Sequence, residues 1–196
     1  MDTFNRVAFK EWAAVCELLR AGRQTVILRK GGIAEGRAGF EFKHGGFFLF
    51  PTHFHEQLDG LVGEFRGHKL ELQDRTPDKE RASIAFRCYA ETVETWSLRD
   101  WAKVARLEDF HPWTETTIKE RFDYKDAGEI SLAVVRVYKM ESPWEVPNGR
   151  AFGGCRSWVE MPEIPETVSS EAQWQTAMSD QAFEDEYTRL KGVLED

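Results

Sequence analysis

Apolar side chains recur along this chain with two different periods, and the changes between them divide it into helices and strands. Phe4, Val7, Ala8, Trp12, Val15, Leu18 and Leu19 fall at steps of three and four, with Lys10, Glu11, Glu17 and Arg20 between them. That spacing predicts one amphipathic helix over residues 4–21, closed by Gly22. Gln24–Lys30 is rich in β-branched and apolar residues and reads as a strand running into a Gly31-Gly32 turn. Phe40–Lys43 and Phe47–Phe50 read as a hairpin around Gly45-Gly46, and His55–Arg66 as a short helix. Ala82–Trp96 alternates and predicts a long strand. Ser97 to Asp100 fits a capping box before a helix reaching Leu107, and Thr114 fits the cap of a helix ending near Phe122. Glu129–Met140 is the clearest strand. The prolines and glycines of Ser142–Gly154 predict a loop, and Cys155–Met161 a last strand.

This order predicts an α+β fold with a mostly antiparallel, barrel-like sheet and flanking helices. Pro162 and Pro165 mark a change of composition, and Ser170–Leu194 reads as a helix with a sparse apolar stripe. The expected organisation is therefore one α+β domain over residues 1–161. Residues 162–196 follow as an acidic, helical C-terminal extension dispensable for folding of the body.

Charge sharpens that division. The net charge is −8, and residues 161–196 hold nine acids against two bases, which leaves −7 there and −1 over the first 160 residues. An acidic total argues against nucleic-acid binding, but the objection falls on the C-terminal segment and not on the nearly neutral body. The three cysteines are widely spaced and form no CxxC pair, so neither a disulfide framework nor a cysteine zinc site is expected. With no long apolar run and no secretory leader pattern, the expectation is a cytoplasmic protein without membrane association.

Candidate chemistry gathers at a few places. Arg29 and Lys30 enter the Gly31-Gly32 turn, where a backbone without side chains lets an anion approach and arginine offers a planar fork; the alternative is a strand end with solvated charges. Thr52 and His55 follow Pro51, and His53 and His55 stand two apart on an extended segment. A metal can use that spacing, with Glu56 and His111 completing the set; a hydrogen-bonded surface pair is the plainer reading. His111-Pro112-Trp113-Thr114 offers an aromatic platform or, equally, a hydrophobic plug. Arg121 lies nearby in sequence. Arg136 sits within an apolar strand, either facing solvent or buried with a partner. Dinucleotide, P-loop, nucleophile-elbow and zinc-protease motifs are all missing, so no cofactor or metal is expected.

The segments Ile27–Ile33, Phe48–Thr52 (FLFPT) with His55, His111–Thr114 (HPWT), Arg136–Tyr138 (RVY) and Gly154–Glu160 (GCRSWVE) together resemble the prokaryotic family called domain of unknown function 1802. The resemblance spans about residues 8–161; in its pattern glutamine directly follows the equivalent of His55, where this chain has Glu56 and then Gln57. The family has no assigned activity. Gly22, Thr25 and Arg29 are also similar in spacing to the opening of ASCH domains, which implies a PUA-like barrel associated with RNA and modified nucleosides. The ASCH hydrolases carry lysine where this chain has Gln24, so their catalysis is not implied.

Two functions follow as expectations. One is a nucleic-acid or modified-nucleotide binding module. Its ligand contacts come from Arg29, Lys30, Gly31, Gly32, Thr52, His55, His111, Trp113, Arg121 and Arg136. The other is a small hydrolase around His55, Glu56 and His111. Expected partners are a single-stranded or modified nucleic acid and, through the acidic segment, a protein.

Overall fold

Four consecutive bulky residues, Phe47-Phe48-Leu49-Phe50, are all buried, which requires a strand covered on both faces. The computed structural model describes residues 4–30, 41–53, 57–70, 76–154 and 156–195. In chain order its elements are β1 (Val7–Trp12), α1 (Ala13–Arg20), β2 (Val26–Lys30), β3 (Gly46–Thr52), β4 (Glu64–Phe65), β5 (His68–Lys69), β6 (Ser83–Leu98), α2 (Trp101–Ala105), α3 (Glu115–Phe122), β7 (Ile130–Pro147), β8 (Trp158–Glu160), α4 (Glu166–Ser169), β9 (Trp174–Thr176) and α5 (Asp180–Glu195). The fold is mixed α+β. One large sheet has the order β2-β7-β6-β3-β1-β8, with β9 added on β7, and a two-stranded hairpin is formed by β4 and β5.

All pairings in the large sheet are antiparallel except β1 with β3. The sheet is not closed into a barrel: among the described residues no ladder joins its ends, β2 and β8. It curls nonetheless. Register shifts in the β6–β7 pair at Phe86/Cys88 and Thr92/Glu94 mark bulges, which bend and twist long strands. The gap is crossed by a side chain: Arg29 Nη2 of β2 donates to Ser157 Oγ beside β8 at 2.8 Å. Short edge strands explain the open seam, since β8 has only three residues to offer a ladder.

The two sheet faces carry separate apolar clusters. One includes Phe9, Ile27, Phe47, Leu49 and Val134; the other includes Ala8, Phe48, Phe50, Phe86 and Trp144. Residues 162–196 contribute to both, through Phe183, Leu190 and Leu194 in the first and Val168 in the second. No helix among the described residues is long and apolar enough to cross a membrane.

Several elements differ from the sequence expectation. Residues 7–12 form a strand, and the helix begins only at Ala13. Ala8 and Phe9, which point to opposite faces, are both fully buried because β1 lies between β3 and β8 with both faces covered. The hairpin partner of β3 is not residues 41–43; β3 pairs with β1 and β6, and Phe40 lies outside the described residues. Gly46 makes the β6 pairing possible, since a Cβ there would stand 2.3 Å from the Tyr89 hydroxyl. Of the helix expected over 55–66, the described residues from Gln57 on form instead one 3-10 turn at Gln57–Gly60 and the β4–β5 hairpin. β6 runs on through Ser97, so the cap of α2 is Asp100, whose side chain accepts from Ala102 N. β7 continues past Met140 to Pro147, because Pro143 falls in the bulge between the Lys139 and Trp144 pairings, where no ladder N–H is required. The segment read as one helix from Ser170 contains β9 before α5 begins.

Candidate anion-binding site

At one end of β1 and β3 the chain gathers charged groups that the core does not neutralise. Glu11 sits in β1 one residue before its end, with its carboxylate on the same face as Phe9. It is 1% exposed, and its Oε1 accepts from Trp12 N at 2.7 Å. Its Oε2 is buried with no hydrogen-bond partner among the described residues. Thr52, at the end of β3, donates its hydroxyl to the Glu11 carbonyl at 3.0 Å and is consumed in holding that strand end.

Arg121 approaches from α3. Thr114 caps that helix as its sequence predicts, its Oγ1 accepting from Thr117 N at 3.3 Å. Arg121 Nη1 donates to the Leu28 carbonyl of β2 at 3.1 Å. Its guanidinium lies 3.5 Å from the Trp113 ring centroid and 5.3 Å from that of Trp12. Those two indoles meet edge to face at 4.5 Å. Burial pushes the Arg121 guanidinium down to about 10; Glu11 opposes that shift and the charge of Arg29 adds to it. Two half-buried cations thus share one region with one buried carboxylate.

Arg29 also packs over the Phe9 ring at 5.1 Å, beside its bond to Ser157. Lys30 rests its ammonium 3.7 Å from the Tyr124 centroid. His111 is 3% exposed and accepts from Trp113 N through Nδ1 at 3.2 Å. Burial lowers it to about 4, with the Arg121 charge pushing the same way and its backbone hydrogen bond opposing. At neutral pH it is therefore an uncharged imidazole.

Of the residues singled out in the sequence, Arg29, Thr52, His111, Trp113 and Arg121 come together here, and Lys30 stands beside them. Arg136 does not: it pairs with Asp180 and lies 4.8 Å from the Phe183 centroid, under the start of α5. Trp113 is 3% exposed, with Arg121 against its ring, so it presents no open platform for stacking. Gly31, Gly32, His55 and Glu56 lie outside the described residues. Among the described residues no group of three His, Cys, Asp or Glu side chains could hold a metal ion. Cys16 and Cys88 are buried thiols raised in pKa chiefly by that burial, Cys88 to about 12.

Glu11 and Trp12 are the site residues that the sequence reading passed over. A helix through residues 4–21 makes Glu11 a solvated charge, whereas a strand makes it a buried one.

One solved structure, the crystal structure of a mutant of the ZmASCH protein from Zymomonas mobilis, is similar over 95% of this chain and 98% of that one, with a TM-score of 0.43 and 10% identity. No protein among the curated ones matches. The family model described as Domain of unknown function (DUF1802) matches residues 8–189, well past Met161 where the quoted motifs end, and the chain belongs to that family.

Proposed function

We propose that the protein binds a phosphate-bearing nucleotide or a single-stranded or modified nucleic acid, with the anion meeting Arg29 and Arg121. The observation that carries this reading is the charge imbalance at the buried site. Arg121 has a carbonyl and two aromatic rings around it, while the nearby carboxylate of Glu11 leaves one oxygen without a hydrogen bond among the described residues. An incoming anion supplies the missing negative charge, and an amino group on the same ligand supplies a donor to Glu11 Oε2. Lys30 extends the positive surface toward solvent.

A PUA-like architecture belongs to the same proposal and rests on the spacing of Gly22, Thr25 and Arg29. Gly22 has φ +65°, and a Cβ there would lie 2.4 Å from the Ala177 carbonyl oxygen. The Thr25 carbonyl accepts from Val135 N at 2.8 Å. Arg29 crosses the open seam of the sheet. Gln24, buried and donating to the Val26 carbonyl, cannot do the proton chemistry of a lysine, so the reading is of binding and not of catalysis. The free, buried thiols of Cys16 and Cys88 fit a cytoplasmic setting.

The test is a titration with a short single-stranded RNA at low salt, followed by tryptophan fluorescence. The expected result is saturable quenching. Replacing Arg29 and Lys30 together by alanine should weaken binding and reduce its salt dependence by up to about two phosphate contacts. Absence of any signal with RNA, DNA and free nucleotides contradicts the reading.

A further inference from the structure

A cleft of about 730 Å³ opens between the β4–β5 hairpin, α2, α3 and the Arg189 side chain of α5. Of the arginine site's residues, His111 and Trp113 also line it, but its chemistry is different. Its floor is apolar, formed by Phe65, Val104 and Ile118, all buried. Its two arginines are already neutralised. Arg66 pairs with Glu186 at 2.5 Å and donates to the Asp109 carbonyl at 2.9 Å. Arg189 pairs with Glu186 at 3.2 Å and with Asp109 at 3.5 Å. Glu64, Glu108 and Glu115 line the same cleft, are exposed, and form no ion pair among the described residues. The potential inside is therefore negative.

His111 gives the cleft a directional group without a partner among the described residues. The imidazole is neutral at physiological pH because burial lowers it to about 4. Its Nδ1 accepts from Trp113 N, so the single ring proton resides on Nε2. That Nε2 is buried and meets no partner among the described residues. A buried N–H left without an acceptor is unfavourable, and a ligand oxygen removes that cost.

We propose that this cleft binds a small organic cation carrying a carbonyl or hydroxyl oxygen. The oxygen accepts from His111 Nε2, the apolar part covers Val62 and Phe65 above the buried Val104 and Ile118, and the cationic end faces Glu64, Glu108 and Glu115. The volume suits a small molecule, within the usual range of roughly 300–1,000 Å³ for such sites. This binding needs no nucleic acid, although the cleft shares His111 and Trp113 with the arginine site.

The test uses three probes of one shape at pH 6: phenylalaninamide as the cation with a carbonyl, 3-phenylpropanamide as its neutral analogue and 3-phenylpropanoate as the anion. Calorimetry gives the affinities, and the ¹⁵N resonance of His111 Nε2 reports the contact. The expected order is cation, then neutral amide, then anion, with the Nε2 resonance moving on addition of either amide. His111→Phe should weaken the cation about tenfold, the loss of one buried hydrogen bond. Glu64→Gln with Glu108→Gln, both at exposed positions that leave folding intact, should weaken the cation several-fold and leave the neutral amide unchanged. An anion that binds as tightly as the cation, an unmoved Nε2 resonance, or no binding of phenylalaninamide at millimolar concentration overturns the proposal.

Discussion

Arg121, in α3, and Arg136, in β7, both pack their guanidinium groups against aromatic rings, and they differ in what else they meet. Arg136 projects from β7 to Asp180 and the Phe183 ring, and its charge is answered within the protein. Arg121 projects from α3 to the Leu28 carbonyl and two indoles, beside another arginine, and its charge is answered only in part. A guanidinium with a carboxylate partner ties two elements together. One held on rings and a carbonyl keeps its donors for something else. The same residue type thus marks a fastening at one place and a candidate binding group at the other.

The fastening side allows the largest test. Removing residues 162–196 strips Phe183, Leu190 and Leu194 from the main core. At about 1.5–3 kcal/mol for each buried side chain, the loss is on the order of the total stability of a domain. Truncation after Met161 should therefore abolish the cooperative thermal transition, and a retained transition would restore the view of an independent body. The single replacement Leu190→Ala should cost roughly 2–5 kcal/mol in urea unfolding.

The binding side has a pH signature of its own. The folded-state value of His111 is lowered to about 4 from an ordinary 6.5, so between those values the unfolded chain binds the extra proton. Its stabilising contribution is fully present above about pH 6.5 and is lost as pH falls toward 4, amounting to about 3 kcal/mol at the lower limit. Urea midpoints measured from pH 7.5 to 4 should fall more steeply for the wild type than for His111→Gln. Parallel curves would show that His111 is not held neutral.

Smaller effects separate the two arginines. The Asp180 side chain is 94% exposed, so Arg136→Met leaves no buried charge behind and should cost no more than about 1 kcal/mol. Arg121→Met removes a half-neutralised cation and should leave stability within about 1 kcal/mol of the wild type, because the methionine still covers the Trp113 ring. A loss of about 3 kcal/mol or more at Arg121, the scale of a broken buried ion pair, would assign it a structural role and remove the contrast.

These contrasts were legible in the sequence only where local chemistry reports them. Thr114 announces the start of α3, because a capping hydroxyl has a local signature. The run from Ile130 to Met140 announces β7, but Pro143 reads as a stop, since nothing local reveals the bulge that accommodates it. Residues 7–12 mimic helical spacing because a strand buried on both faces loses its alternation. The candidate site divides in the same way. Arg29, His111, Trp113 and Arg121 stand out by residue type, whereas Glu11 becomes unusual only when β3 and β8 enclose its strand. The apolar stripe of α5 looks too sparse to matter, yet three of its residues reach the core.

If Arg121 keeps its charge for a ligand while Arg136 commits its own to α5, the two should part company in a binding experiment. The most direct measurement is the affinity for a single-stranded RNA oligonucleotide as a function of salt, made in parallel on the wild type, Arg121→Met and Arg136→Met. Arg121→Met is predicted to bind more weakly, with a salt slope shallower by about one contact, and Arg136→Met to coincide with the wild type. Equal behaviour of the two variants, or no binding by the wild type at low salt, would contradict that division of roles.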